Sequence, residues 1–479
     1  MRVLLIQPGK REKFAAPFGY VEPLGLESVA GAITDICDLD FIDLRFSTLE
    51  DLKRIVESER VDACGITSSF TMDYNQAIKA AEIVKQVDSR VFVFVGGHHP
   101  SLMPDDFNLP SIDAIVMGEG EATTRELIEV VNSGSDLAKV TGLAFRRHGK
   151  QLLTPPRALI HDLDSLPYHD SSIVEDFRRR YRLFVEKSVT SLETIRGCQF
   201  QCNFCSVWKF YRGKVRMKSP ERVINEIKSV KSDNVFFVDD NFFASPRRAD
   251  RIADAIKREG IMKRYLIQAR SDAIALHPGL IDKWAGIGLR SAFLGFEKVS
   301  QCGLDAVEKH NSVQSNEKAL EILRDHGIEP VVSFIADPEF QGDEFLLLRN
   351  YVKKLSLKLP FFTMLTPLPG TELFDSVRED LMRSDYDFFD LMHPVLPTRL
   401  PTKEFIRQFC MLYKTGYPTP IAFAGSILLL FDVMRGRLSF SDWREIVRDW
   451  RIVTTPEKYL AGLSTSAQGS KWKGQEIVA

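Results

Sequence analysis

The sequence predicts an α/β protein made of a Rossmann-like sheet, a partial (βα)6 barrel and a small helical region. Three observations carry this. Short apolar runs alternate with helical patterns over the first 150 residues, and a second alternation of six such units fills residues 188–400. Beyond Pro401 the strand pattern stops and helical periodicity continues alone. A chain of 479 residues exceeds one ordinary core, so several domains are expected.

In residues 1–150 the strand-like runs are RVLLIQP, LDFIDLR, ACGITSS, VFVFVGG and AIVMGEG, with helices such as EPLGLESVAGAITDI and NQAIKAAEIVKQV between them. That alternation gives a parallel sheet covered on both faces, with ligands at the strand carboxyl ends. Those ends hold Ser68 and Ser69 in TSSF, Gly96, Gly97, His98 and His99 in GGHHPS, and Glu119 in GEGE. A tight turn accounts for any one of them. Three in one domain point to backbone approaching a bulky ligand. Residues 151–187, rich in proline and charge, read as a linker. Residues 188–400 carry the strands SLETIRG, NVFFVDD, YLIQAR, RSAFLGFE, EPVVSFIA and PFFTML. One intervening helix opens with Ser219 as N-cap and Pro220 at the first helical position. Six units make an open barrel, smaller than the eight-unit closed form. Residues 401–479 form the helical C-terminal region.

Composition narrows the class. The apolar fraction of 44%, charged fraction of 27% and net charge of −2 fit a soluble globular chain, with no basic field to attract nucleic acid. The opening MRVLLIQPGKREKF is too short in its apolar part for a secretory signal. The longest apolar run, IAFAGSILLLFD from Ile421, falls short of the ~20 residues that span a bilayer. It reads as a core helix, with shallow membrane contact the alternative. A cytoplasmic, reducing location follows as the expectation, where clustered cysteines bind metal or catalyse rather than pair.

Such a cluster lies in TIRGCQFQCNFCSVWKFY, where Cys198, Cys202 and Cys205 are spaced C-x3-C-x2-C. The other cysteines, Cys37, Cys64, Cys302 and Cys410, are scattered. A structural zinc site wants four ligands, and no histidine lies in the loop. Three thiolates on a four-iron cluster would leave one iron open. Phe200, Phe204, Trp208, Phe210 and Tyr211 would keep water from it. The histidines His161, His169, His277, His310, His326 and His393 show no metal spacing.

With that motif after the first barrel strand, and Phe204 before its last cysteine, residues 188 to about 397 resemble the radical S-adenosylmethionine (SAM) superfamily. The resemblance implies that Cys198, Cys202 and Cys205 hold a [4Fe–4S] cluster whose open iron binds SAM. FVDDNF and LGFE fall where that family meets SAM, which implies contacts from Asp239, Asp240 and Glu297, although Glu297 also fits an ordinary strand-end charge. A Rossmann-like sheet ahead of such a barrel resembles the cobalamin-binding class B enzymes. It implies that Ser68, Ser69, Gly96, Gly97, His98 and Glu119 cradle cobalamin. The D-x-H-x-x-G pattern that supplies a histidine to cobalt is missing, since Asp43-Leu44-Arg45-Phe46 stands there. The cobalt then has no histidine ligand, or takes His98 or His99.

EPLGLESVAGAI, FVGGHHPS, SPERVINEI, FFVDDNFF, IADPEF, LPGTE and HPVLPTRLPTKEF extend the resemblance over nearly the whole chain. They resemble a branch of C-methyltransferases that includes bacteriochlorophyllide d methyltransferases and hopanoid C-3 methylases. The resemblance implies methylation of an unactivated carbon of a large apolar substrate. It favours a bacteriochlorophyllide d side chain, with a hopanoid as the alternative and oxidative cyclisation of a tetrapyrrole as a further one. An external electron donor such as flavodoxin or ferredoxin is implied as partner. A cofactor-based sensor would need an output domain of basic helices, and the C-terminal sequence reads as none.

Overall fold

The computed structural model describes residues 1–9, 20–183, 186–417, 429–431, 433–435 and 439–466. The first sheet has seven strands: β1 (Arg2–Gln7), β2 (Asp38–Asp43), β3 (Ala63–Thr67), β4 (Phe92–Gly96), β5 (Ala114–Val116), β6 (Leu143–Arg147) and β7 (Lys150–Leu153). Their order is β2-β1-β3-β4-β5-β6-β7, parallel through β5. Both faces are covered because β1 is apolar on both: Leu4 and Ile6 join one core, Val3 and Leu5 the other. Each such side chain contributes about 1.5–3 kcal/mol on burial. Helix α1 (Leu24–Ile33) packs on one face and α2 (Tyr74–Val87) on the other.

Two findings differ from the expectation. The sheet ends in an antiparallel hairpin, β6–β7, which runs on to Leu153. The segment read as a linker holds a 3-10 helix, Ser171–Arg180, and is tied down at both domains. Tyr181 Oη donates to buried Asp43 at 3.0 Å, and Arg178 pairs at 2.8 Å with Glu22, whose other oxygen accepts from the amide of Ser191 on the first barrel strand.

The barrel sheet is β8 (Val189–Leu192), β9 (Asn234–Phe237), β10 (Arg264–Ala269), β11 (Leu289–Glu297), β12 (Glu329–Ala336) and β13 (Leu359–Met364), all parallel and in sequence order. It does not close, as six units predict. Outward residues such as Ala292, Leu294 and Phe296 pack under the helices. Phe236, Leu266, Phe293, Val331 and Phe361 line an apolar cavity of about 200 Å3. Ser219 caps the helix Pro220–Ser229 by accepting from the Arg222 amide at 3.1 Å. After the barrel come α3 (Thr402–Gly416), α4 (Phe440–Thr454) and α5 (Pro456–Ser466). Of the apolar run from Ile421, only Leu429, Leu430 and Phe431 fall within the described residues.

Glu27 on α1 is fully buried, and neither carboxyl oxygen has a hydrogen-bond partner. Burial, with Glu22 beside it, holds its carboxyl well above 4.5, and burial pushes Glu22 up to about 7. The folded chain therefore binds a proton that the unfolded chain releases above its ordinary value, so stability is lost as pH rises. Glu27→Gln keeps the neutral form at every pH. Its melting temperature is expected to exceed the native one by a margin that widens as pH rises above about 4.5. Parallel curves would contradict this.

Candidate functional site

The cysteine loop is fixed at its base by chain geometry. Ile195–Arg196 pairs antiparallel with Arg216–Met217, closing the loop on itself. Gly197 has φ +90°, and a Cβ there would lie 2.2 Å from the Lys214 carbonyl oxygen. Asp239, buried at the end of β9, accepts from the Thr194 amide at 2.5 Å, the Thr194 hydroxyl at 2.6 Å and the Ile195 amide at 2.9 Å. Burial outweighs these bonds and holds its carboxyl at about 6. Asp240 accepts from the Gly197 amide at 3.3 Å; burial, then Glu193 and Asp239, push it up to about 7. Asp239 is thus engaged by backbone, while Asp240 lies beside the first cysteine.

Cys202 is buried and Cys198 and Cys205 are partly so. The Cys202 carbonyl accepts from the Cys205 amide at 3.0 Å and from Trp208 Nε1 at 3.2 Å. Burial raises all three thiols, Cys205 to about 12, while Lys309 and Arg270 oppose it at Cys198 and Cys202. Buried thiols ionise on a metal, so this donor set fits a cluster. Among the described residues no three His, Cys, Asp or Glu side chains converge on a single ion; the ligands of a four-iron cluster stand at separate corners. Arg270 stacks on Phe200, 3.4 Å from the ring centroid, and donates at 2.9 Å to the carbonyls of Lys309 and His310. Lys309 pairs with Glu297 at 2.7 Å. Glu297 takes φ +61° where the β11–β12 register shifts, and its carboxylate lies where a Cβ on Gly295 would be, 2.1 Å away. Glu297, Lys309 and Asp240 therefore surround the cysteines.

A cavity of about 260 Å3 lies between the carboxyl edge of the first sheet and the barrel entry. Ser69, Gly96, Gly97, His98 and Glu119 line it, and Ser68 is buried behind them. Glycine makes the space: a Cβ on Gly65 would lie 2.5 Å from the Phe94 ring, and one on Gly97, at φ +121°, would lie 2.7 Å from the Ser68 carbonyl oxygen. Gly97→Ala is expected to destabilise the fold by about 1–3 kcal/mol and to lower cobalamin retention after gel filtration. Unchanged retention would show that this turn does not shape the cavity.

His98 faces that cavity with its ring 4.0 Å from Phe210, and Nε2 is buried without a partner. Burial lowers it to about 4, so it is neutral. His99 points away, with Nε2 3.0 Å from Asp106 and rings of Tyr74, Phe107 and Tyr386 around it. Phe210 and Tyr211, expected to shield the cysteines, line the cavity instead.

Sequence reasoning missed the ionic node that joins the two domains. Arg196, two residues before Cys198, donates to Glu119 at 2.8 Å, Glu121 at 2.5 Å and Glu193 at 2.6 Å. Arg216 also donates to both oxygens of Glu119 at 2.8 Å. Burial pushes Glu121 up, but Arg196 overcomes it and leaves the carboxyl below its usual range. Glu119 thus sits at the cavity edge with its carboxylate engaged across the domain boundary. The only sequence signal was a charge beside the cysteine motif.

Residues 14–128 match the B12 binding domain family, and residues 192–345 match the Radical SAM superfamily. The chain is 30% identical over 473 residues to the hopanoid C-3 methylase of Methylococcus capsulatus, covering 96% of this chain and 89% of that one. It is 22% identical to the bacteriochlorophyllide d C-12(1)-methyltransferase of Chlorobaculum tepidum, covering 86% and 87%. The fold is similar to that of a radical SAM methyltransferase from Kitasatospora setae, TsrM, solved with cobalamin and a [4Fe–4S] cluster bound. That likeness has a TM-score of 0.64 at 19% identity and covers 85% of each chain.

Proposed function

The chain belongs to the cobalamin-binding radical SAM methyltransferases, and from that premise we propose that it methylates an unactivated carbon of a hopanoid-like triterpenoid. Its cofactors are cobalamin, SAM and a [4Fe–4S] cluster. Together they supply a radical at a carbon that is no nucleophile, and the methyl group to cap it.

The protein's own part is position and dryness. Cys198, Cys202 and Cys205 would hold the cluster, on a loop that Asp239 and Gly197 fix from behind. Asp240, Glu297 and Lys309 would meet the amino and carboxylate groups of SAM. The glycine-walled cavity receives cobalamin, with neutral His98 and the rings of Phe210 and Tyr211 at its barrel side.

The observation that carries the substrate reading is the 30% identity to a hopanoid methylase over nearly the full chain, against 22% to a bacteriochlorophyllide enzyme. This reverses the preference drawn from the sequence. The test offers the reconstituted holoenzyme a hopanoid and a bacteriochlorophyllide d together, with methyl-deuterated SAM. Label in the hopanoid is the expected result. Label in the chlorin alone overturns the substrate, and an oxidised product without S-adenosylhomocysteine overturns methylation.

A further inference from the structure

The C-terminal region exposes several large apolar side chains, and one of its helices carries a row of arginines. Leu430, Phe431 and Met434 lie at helical spacing, with Met434 70% exposed, and the Arg435 amide donates to the Phe431 carbonyl at 3.0 Å. Phe440, 56% exposed, opens α4 six residues later. Single exposed apolar residues are ordinary; four within a short stretch are not. Along α4, Phe440, Arg444, Arg448 and Arg451 share one face by their spacing, and all are exposed. The opposite face packs inward, with Val453 buried and Trp450 against Tyr417 at 4.9 Å. Arg448 also reaches Asp449 at 3.0 Å.

We propose that this face docks on an anionic phospholipid bilayer. Apolar tips beside arginines match the acyl boundary and the phosphate layer of such a surface. Arg444, Arg448 and Arg451 gather on this face of the helix, while by spacing Asp442, Glu445 and Asp449 fall on its other side. Among the described residues no helix is long and apolar enough to cross a membrane. Docking would place the barrel beside a reservoir of apolar substrate. The inference goes beyond the methylation reading and does not rest on it.

The test uses the full reconstituted chain in co-sedimentation with vesicles of phosphatidylcholine alone and of phosphatidylcholine mixed with phosphatidylglycerol. Binding to the anionic vesicles is expected, weakened by high salt. Met434→Asp with Phe440→Asp, and separately Arg444→Glu with Arg451→Glu, are each expected to weaken it by about tenfold or more. Cluster absorbance checks that the variants fold. Absence of binding, equal binding to neutral vesicles, or variants that bind like the native chain would overturn the proposal. So would a dimer that both double variants dissolve, because the face would then serve a second copy.

Discussion

Arg196→Ala is expected to lower stability by about 3–5 kcal/mol and to release cobalamin. The guanidinium is buried with Glu119, Glu121 and Glu193 around it. Removing it leaves three carboxylates without their shared cation; Glu119 keeps a second one, Arg216. Desolvated like charges repel, so the two domains should part along this boundary. Arg196→Lys is expected to recover only part of the loss, because one ammonium does not reproduce three directed contacts. Urea midpoints and cobalamin content after gel filtration measure both effects. Unchanged values would mean that the node closes the surface without holding the domains.

Cys202→Ala is expected to abolish the cluster absorbance and all 5′-deoxyadenosine formation, a loss on the order of 10⁶-fold or more. Cys202 is the middle cysteine of the loop, and its carbonyl gathers Cys205 and Trp208 through backbone that alanine retains. The fold should therefore survive while the chemistry does not. Exposed Cys302 gives the control: Cys302→Ala should leave both signals intact. Residual 5′-deoxyadenosine in Cys202→Ala would move the cluster elsewhere.

The parallel strands of both sheets are legible in the sequence because period and burial agree there: β1 is apolar on both faces, and β11 alternates. The β6–β7 hairpin escaped because its edge is charged, with Arg146, Arg147 and Lys150 flanking the turn. His148 and Gly149, both at positive φ, were the available signal. The C-x3-C-x2-C spacing marks out the three cysteines that share one loop. Roles within pairs are not legible in the sequence. Asp239 and Asp240 are neighbours, yet one turns to backbone amides and the other toward the cysteine loop. Glu119 and Arg196 are far apart in sequence, so their pairing appears only when the domains meet.

The central claim is radical methyl transfer by one chain carrying both domains. The most direct test is anaerobic turnover of the reconstituted protein with methyl-deuterated SAM and a hopanoid, counting three products by mass spectrometry. Labelled hopanoid, 5′-deoxyadenosine and S-adenosylhomocysteine should appear in equal amounts. Labelled product with S-adenosylhomocysteine but no 5′-deoxyadenosine would contradict the claim, because methyl would then be moving without a radical.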